Sequence, residues 1–572
     1  MSSLPAAIEV YPVHHLPILK AYADQLGLVS LINHYVPTER NVDAGTVVLG
    51  LVLDTLSGRS PLYRLEEFCA QQDTELLLGK ALPPHALNDD TVGRVLDRLY
   101  DFGTMRLFTA CAVRAATRLS LERRYVHFDT TSRSVWGEYQ CAETQDLPFQ
   151  VTYGYSKDKR PDLKQFVLST LCVDRAVAIW GKPEEGNASD KTLNATVLSE
   201  ITQLLAHYGV QRGAYIYIAA AALVTEANLA ALGDTLFITR LPATYSACGR
   251  VITEAVAHNH WEEVGVLAQT PPTQHRPGTF YKVAEGEVTL YGKAYRAVVV
   301  HSSSQDQRRQ KHLARELQAS YATLEATVRE ATQQEYFCHA DAEAAAAKLR
   351  AQQSAYHEVE VRVEERPKYG PGRPSSTQPR VVKALRYGLQ VTLRERAEVI
   401  ARKTQETGCF VLLTNVPTAG EMAHRAGDVL RADKEQHGIE QNFSFLKDPL
   451  IVNSLFLKKP ERIEALGLVL LLALLLWRLV ERTLRGHVET TETPLPGWDK
   501  KATPKPTAFM MMTKFAAVMV IKVGLQRQLT HPLSTVQQQY LQALGVPATY
   551  FPAPQSGSRD ADGKSRSQTS PG

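Results

Sequence analysis

Cysteine is scarce in this chain, and no cysteine pattern of a metal-binding or disulfide-bonded fold occurs. The 572 residues include 7 cysteines, an odd number, and there is no CxxC pair. Structural zinc sites and disulfide frameworks both depend on characteristic cysteine spacings, so neither is indicated. We therefore expect a reducing, cytoplasmic setting.

A large excess of charge of one sign is also absent. Lysine and arginine number 64, and aspartate and glutamate number 60, which gives a formal net charge of +4. This balance excludes a polybasic, histone-like protein. It leaves local basic patches possible, because nucleic-acid binding depends on where the charges lie.

The sequence also lacks an apolar run of the length that a membrane span needs. The segment 465–477 has 13 residues without a charge, whereas a transmembrane helix needs about 20 apolar residues. A helix buried in a protein core is the favoured interpretation, and a membrane anchor is the alternative. The first residues lack the basic segment and apolar core of a secretory signal, so none is expected.

What is present predicts an α/β protein of several domains, since a domain typically has about 100–200 residues. β-branched and aromatic runs predict strands from Tyr125 onward, and apolar residues at helical spacing predict helices between and after them. The predicted strands are 125–129, 149–155, 166–174, 215–219, 236–242, 279–303 (a pair), 356–365 and 409–415. The predicted helices are 87–103, 190–205, 225–232, a long one within 307–355, 420–447, 463–485 and 508–545. Strands that alternate with helices indicate a mixed sheet within α/β layers.

Two acids are candidate metal ligands. Asp129 ends the first predicted strand of the sheet, and such an acid faces the crevice where ligands bind. Glu440 and Lys447 share one face of a predicted helix. The carboxylate could hold a metal ion while the amine binds a phosphate. The alternatives are a turn-capping role for Asp129 and an ordinary solvated helix face around Glu440.

Several motifs of about ten residues carry a family resemblance. They are HFDTTSRSVWGEY (127–139), TYGYSKDKRPDLKQF (152–166), WGKPEEGNASDK (180–191), TRLPATY (239–245), FVLLTN (410–415) and GIEQNFSFLKDP (438–449). In this order they resemble the motif series of insertion-sequence DDE transposases that carry a large β-containing insertion before the catalytic glutamate. Segments 26–37 and 85–100 are similar to that group's helical N-terminal domain, so the resemblance covers roughly residues 10–550.

The resemblance implies an α/β fold with an RNase H-like mixed-sheet core. A β-strand-containing insertion is expected to interrupt the core, with a helical N-terminal domain before it and a helical C-terminal segment after it. The expected boundaries are 1–120 for the N-terminal domain, 121–244 and 406–550 for the two parts of the core, 245–405 for the insertion, and 551–572 for a disordered tail.

The resemblance also implies a catalytic site that this chain lacks in part. In the family, Asp, Asp and Glu hold a pair of Mg²⁺ (or Mn²⁺) ions for phosphoryl transfer on DNA. By motif position, Asp129 is the first acid, Glu440 is the third, and Lys447 is assigned to a phosphate near the cleaved bond. The second acid should follow the fourth strand, where this chain reads IAAAAL (218–223) and has Ala220 in its place. A methyl group cannot ligate a metal, so we expect DNA binding with little or no cleavage.

Basic residues supply candidate contacts to the DNA backbone, although each could equally belong to a solvated face. The candidates are Lys157, Lys159, Arg160, Lys164, Arg308, Arg309, Lys311, Lys434, Lys458 and Lys459, with Arg315, Lys368 and Arg373 in the same clusters. The superfamily often places Tyr and Arg before the catalytic glutamate, and this chain has Asp433 and Gln436 there instead.

The expected function is therefore that of a bacterial-type insertion-sequence transposase, which binds the ends of its mobile element and carries out DNA transposition by cleavage and strand transfer. The expected partner is double-stranded DNA, bound by a homodimer in the cytoplasm in association with the nucleoid. A non-catalytic DNA-binding relic or regulator of transposition is the alternative from a different class. A hydrolytic nuclease of RNase H type is a third possibility.

Overall fold

The computed structural model describes residues 8–57, 64–135, 149–211, 213–268, 278–371, 380–447 and 459–553. The chain forms two compact units. The first unit contains residues 1–239 and 432–572, and the second contains residues 240–431.

Helices make up most of the regular structure. The α-helices are α1 (Leu16–Leu26), α2 (Leu28–Tyr35), α3 (Ala44–Ser57), α4 (Leu65–Ala70), α5 (Thr74–Leu78), α6 (Asp89–Phe102), α7 (Thr104–Arg118), α8 (Asp190–His207), α9 (Glu226–Leu232), α10 (Ser246–His258), α11 (Ser303–Gln333), α12 (His339–Arg350), α13 (Ala397–Glu406), α14 (Ala426–Glu435), α15 (His437–Lys447), α16 (Pro460–Thr491), α17 (Ala508–Phe515) and α18 (Thr535–Leu544).

The strands belong mostly to one large mixed sheet. They are β1 (Ile8–Tyr11), β2 (Tyr125–Val135), β3 (Lys164–Val173), β4 (Val177–Glu184), β5 (Ile216–Ala219), β6 (Leu236–Leu241), β7 (Glu262–Val266), β8 (Phe280–Leu290), β9 (Lys293–Ser302), β10 (His357–Tyr369), β11 (Val382–Glu395), β12 (Cys409–Thr414), β13 (Leu495–Pro496), β14 (Ala502–Thr503), β15 (Val520–Val523) and β16 (Gln526–Leu529).

In the first unit the sheet has the strand order β4-β3-β2-β5-β6. Strand β2 pairs antiparallel with β3 and parallel with β5, and β5 pairs parallel with β6. Strand β2 therefore lies between an antiparallel half and a parallel half of the sheet, which is the arrangement expected of an RNase H-like core. The predicted α/β class with a mixed sheet is confirmed.

The predicted strand 166–174 is present as β3, whereas the strand predicted at 149–155 is not. Residues 149–155 form no strand, and only Thr152 makes an isolated bridge, to Gln165. The backbone at Gly154 lies so close to the carbonyl of Gly186 that a side chain could not fit at this position. The third strand is instead β4, which follows β3 through a tight turn at 174–176 with positive φ angles.

The apolar helix α16 forms the centre of the first unit. Its most apolar window has a mean hydropathy of 2.3, and 89% of that window is buried inside the protein. The helix packs against β4 and against the N-terminal helices α3, α6 and α7. The interpretation of this segment as a core helix is therefore supported. Because the N-terminal helices share this core, residues 1–120 do not form a separate compact unit, in contrast to the predicted boundary.

The C-terminal part of the chain is less continuously helical than predicted. The segment 420–447 forms two helices, α14 and α15, which are separated at Gln436. The segment 508–545 is divided between α17 and α18 by the hairpin of β15 and β16, which turns at Gly524 with a φ of 60°. Strand β15 also pairs with β1, so the hairpin is held by the N-terminal strand.

In the second unit, four strands pair in the order β12-β9-β8-β7, and β10 pairs with β11 in a separate ribbon. Strand β12 pairs with β9 along its whole length, from Cys409 to Thr414. Residues 406–431 therefore belong to this unit. The predicted boundary at 405 had assigned them to the second part of the core. The predicted long helix within 307–355 is divided into α11 and α12.

Candidate functional site

Asp129 lies in the middle of β2, at the point where the neighbouring parallel strand ends. The sequence had predicted that β2 would stop at Asp129, but the strand continues to Val135. On one side Asp129 is paired with Thr170 of β3. On the other side β5 ends at Ala219, which is paired with Phe128. The ends of parallel strands open a crevice in which ligands bind, and Asp129 lies at its edge.

Ala220 follows β5 directly, and the register of the parallel pair places it beside Asp129. Its side chain is exposed, and its carbonyl accepts a hydrogen bond of 3.0 Å from the Thr239 hydroxyl. The residue is the N-cap of a short 3-10 turn, Ala221–Leu223, with extended backbone and no side-chain cap. Asp, Asn, Ser and Thr are the residues that N-cap positions favour, so the backbone here is suited to an aspartate.

Glu440 lies in the first turn of α15, and this helix packs against β2. Its Oε2 is 2.9 Å from Nδ1 of His437, and its side chain is 67% exposed. The position of the helix is set by Asn442, whose amide donates to the carbonyl of Ala176 at 2.8 Å. The oxygen of Asn442 accepts a hydrogen bond from the buried guanidinium of Arg478 in α16.

The electrostatic environment of Asp129 connects it to the other acids. Burial is the main cause that raises the pKa of Asp129 to about 6, and the negative charges of Asp190 and Glu440 contribute to this rise. The ammonium of Lys157 and a backbone hydrogen bond from Thr130 oppose these effects. Asp129 and Glu440 are thus close enough to interact through their charges, as expected of two acids that share a site.

Asp190 belongs to the same cluster, although the sequence had predicted it only as a helix cap. It is the first residue of α8, and its Oδ1 accepts a hydrogen bond of 2.5 Å from the Thr130 hydroxyl. The Nζ of Lys157 is 3.2 Å from its Oδ2 and 2.8 Å from the carbonyl oxygen of Thr130. Lys157, predicted as a DNA contact, is therefore bonded inside the site. The occurrence of Asp190 within the motif at 180–191 was the signal that could have found it.

Lys447, at the other end of α15, is bonded to the residue that follows Lys157. Its Nζ lies 2.5 Å from Oδ1 of Asp158, and both side chains are about one quarter exposed, at 24% and 28%. The neighbouring residues Lys157 and Asp158, which have opposite charges, thus connect their loop to two different parts of the site. Lys157 binds Thr130 and Asp190, and Asp158 binds the end of α15. A phosphate that approached Lys447 would have to displace Asp158.

The carboxylates present do not fit a pair of metal ions. Within the described residues, no group of three or more His, Cys, Asp or Glu side chains could hold a metal ion. Asp190 already accepts from Thr130 and is paired with Lys157. Asp129 and Glu440 then remain as donors, whereas Mg²⁺ takes several oxygen ligands in strict octahedral geometry. The side chain of Ala220 adds no oxygen ligand.

The other predicted DNA contacts are spread over both units. Arg160 forms a bidentate pair with Asp162, at 2.8 and 2.7 Å. Lys159 lies in a turn with a φ of 58°, Lys164 begins β3, Lys434 lies in the last turn of α14, and Lys459 is the N-cap of α16. Lys311 and Arg315 lie on α11 and Lys368 lies on β10. Lys458, Arg373 and the side chains of Arg308 and Arg309 lie outside what the structure describes.

Comparison with known proteins concerns the N-terminal region. Residues 8–113 match a family described as a domain of unknown function (DUF4277). The DUF4277 segment runs from β1 into α7, within the first unit. No protein of curated function matches the chain. The match therefore bears on the helices that pack around α16 and not on Asp129, Ala220 or Glu440.

Proposed function

We propose that the chain is a DDE-type transposase of an insertion sequence, which binds double-stranded DNA at the ends of its element but cleaves it poorly. The observation that carries this proposal is the parallel register that places Ala220 beside Asp129. In the transposase pattern this position holds the second acid. The mixed sheet and the two acids Asp129 and Glu440 support this proposal, in which the loss concerns one side chain.

The residues around Asp129 support a role in handling phosphate. Lys447 is the candidate for the phosphate next to the scissile bond, because a lysine is a compact positive charge that binds phosphate well. Its ion pair with Asp158 keeps the amine within the site in the absence of DNA. The assembly that we propose is a homodimer on double-stranded DNA, in the cytoplasm and associated with the nucleoid.

The direct test restores the acid. A supercoiled plasmid that carries the DNA flanking the coding sequence on both sides is incubated with protein and Mg²⁺ or Mn²⁺. We expect Ala220→Asp to nick this plasmid and the chain as written to leave it intact. Ala220→Asn is the matched control, since asparagine has almost the same shape without the negative charge.

Two results would contradict the proposal. Equal nicking by the parent and by Ala220→Asp would mean that the acid at 220 is not needed. Nicking by Ala220→Asp that persists when Asp129 is changed to Asn would place the chemistry elsewhere. Joined products in which element ends are inserted into target DNA distinguish a transposase from a hydrolytic nuclease.

A non-catalytic regulator is the second candidate function, and Ala220 favours it. Such a protein would bind element ends and reduce transposition by entering mixed assemblies with active copies. This candidate predicts that the parent chain lowers the nicking rate of Ala220→Asp when the two are mixed before DNA is added. A rate that depends only on the amount of Ala220→Asp would count against it.

A further inference from the structure

The ribbon of β10 and β11 changes character along its length. Its first half packs against α11 and α12 and contributes to a small hydrophobic core. Val359, Val361 and Leu389 are at most 5% exposed in this half. The packed part ends at Tyr387, which is the cross-strand partner of Glu365.

Beyond Tyr387 the ribbon presents exposed apolar side chains. We call residues 366–369 and 382–386 the distal end of the ribbon. Tyr369, Val382 and Leu385 are 45%, 46% and 48% exposed there. The cross-strand pairing continues through this region to Tyr369 and Val382, with one bulge after Lys368. The distal end is therefore an ordered ribbon without a core of its own.

The two halves of the ribbon also differ in the balance of their charges. In the packed half, bases are balanced by acids, as in the pairs of Arg394 with Glu360 at 3.0 Å and Arg396 with Glu358 at 3.5 Å. From 366 to 386 the sequence contains no acid. It contains six bases, which are Arg366, Lys368, Arg373, Arg380, Lys383 and Arg386.

Two of these bases directly oppose each other across the ribbon. Arg366 is the cross-strand partner of Arg386, and like charges in such a pair destabilise a sheet. Arg366 is paired with Glu364 at 2.6 Å, and the guanidinium of Arg386 lies 3.6 Å from the centre of the exposed Phe337 ring. These two contacts offset part of the repulsion within the fold, and a bound polyanion would offset more of it.

We infer that the distal end of the ribbon is an arm that binds the backbone of double-stranded DNA. The choice of DNA rests on the proposed function, and the arm adds a contact surface remote in sequence from the acids. A two-stranded ribbon fits the major groove, which is about 12 Å wide. Four residues at about 3.3 Å each give a reach of roughly 13 Å beyond the packed half. The exposed Tyr369, Val382 and Leu385 would contact sugars while the bases contact phosphates.

The test compares two triple variants with equal loss of charge. Lys368, Arg380 and Lys383 are changed together to glutamine in the ribbon variant. Arg329, Lys348 and Arg402, exposed on α11, α12 and α13 of the same unit, are changed to glutamine in the control. Binding to a fluorescent DNA duplex of mixed sequence is measured between about 50 and 200 mM salt. Thermal unfolding of each protein verifies that it is folded.

We expect the ribbon variant to bind about 10- to 100-fold more weakly and to lose about two to three from the slope of log K against log salt. The control should bind within about twofold of the parent. The single variant Lys383→Arg, which keeps the charge, should bind like the parent.

Three outcomes would overturn the inference. If the parent binds DNA and the ribbon variant binds it with the same affinity and salt slope, the ribbon is not a DNA-binding arm, while the proposed function stands. If the parent does not bind DNA, the proposed function falls together with the arm. If poly-L-glutamate binds the parent as tightly as DNA and shows the same loss with the ribbon variant, the surface is one for acidic polypeptides.

Discussion

Two ion pairs, one in each unit, hold their charges in opposite ways. In the first unit, Arg478 and Glu481 form an ion pair of 2.9 Å with side chains that are only 5% and 7% exposed. In the second unit, the pair of Arg394 and Glu360 has a similar distance of 3.0 Å, but the side chains are 63% and 41% exposed. Similar distances therefore occur in very different surroundings.

This difference determines what the charges do. A buried charge depends on its partners, because its transfer from water is costly and the loss of one partner leaves the other unpaired. Arg478 accordingly holds Asn442, and with it the helix that carries Glu440. An exposed charge interacts weakly within the fold and stays available to a ligand. The buried pair of the first unit helps to position a site, and the exposed pair of the second unit remains open to solvent.

The largest expected effect comes from breaking the buried network. Arg478→Ala should lower the free energy of unfolding by about 3 kcal/mol, because Asn442 loses a buried partner and Glu481 keeps only its ion pair with Arg485, at 2.7 Å. Urea unfolding of the full chain measures the change. The double variant Arg478→Met with Glu481→Gln is the control, and it should recover part of the loss. A loss below about 1 kcal/mol for Arg478→Ala would mean that the buried ion pair stabilises the fold no more than an exposed pair does.

The next effect concerns acid stability in the first unit. His15 is 4% exposed, and Nε2 lies 3.0 Å from the carbonyl of Leu56. Burial lowers the pKa of His15 to about 4, so the folded protein keeps this ring neutral while the unfolded chain binds a proton below about pH 6.5. The stabilisation is full above that pH and is lost as the pH falls towards 4.

From pH 7 to pH 4, the parent should lose about 3 kcal/mol more stability than His15→Gln, which has no proton to gain. Urea unfolding at a series of pH values gives the difference. The matched control is His312→Gln, at an exposed histidine of the second unit. Parallel pH curves for the parent and His15→Gln would show that this ring does not limit acid stability.

A smaller effect is expected at the border between the buried site and solvent. Asp158→Asn releases Lys447 from its ion pair, so DNA should bind about fivefold more tightly, which corresponds to roughly 1 kcal/mol. Fluorescence anisotropy with a DNA duplex measures the change. Asp162→Asn is the control, because it removes the same charge from the same segment but is paired with Arg160. Equal tightening by both variants would mean that only net charge matters.

The smallest effect is expected at the exposed pair of the second unit. Arg394→Gln should change the free energy of unfolding by at most about 1 kcal/mol, since surface ion pairs contribute little. The same urea experiment as for Arg478→Ala gives a direct comparison. A loss above about 2 kcal/mol would show that this ribbon depends on its ion pairs more than its exposure implies.

Local patterns in the sequence predicted much of the fold but not the parts that depend on distant contacts. The strand around Asp129, the helix of Glu440 and the apolar helix α16 were found because their apolar patterns are local. The strand β4 was missed and 149–155 was wrongly predicted as a strand. Both segments contact β3, β4 along its length and 149–155 through one bridge, and no local pattern reveals this difference in pairing.

The candidate site was also predicted only in part, where the signal in the sequence is local. Motif order singled out Asp129, Ala220 and Glu440, and the strand register places the first two side by side. The bonds of Asp190 with Lys157 and of Asp158 with Lys447 join residues that are far apart in the chain, with sequence separations of 33 and 289. Such pairs depend on the tertiary fold, so these residues could not be assigned to the site beforehand.

The exposed, extended backbone at Ala220 has a genetic consequence. Aspartate and alanine codons can differ at a single base, and an aspartate at this position would meet no packing obstacle and would suit the turn that follows. On the proposed function, the gene is then one point mutation from a complete set of acids. Reversion would need no compensating change, so cleavage could be lost and regained in a lineage while the folded protein persisted unchanged.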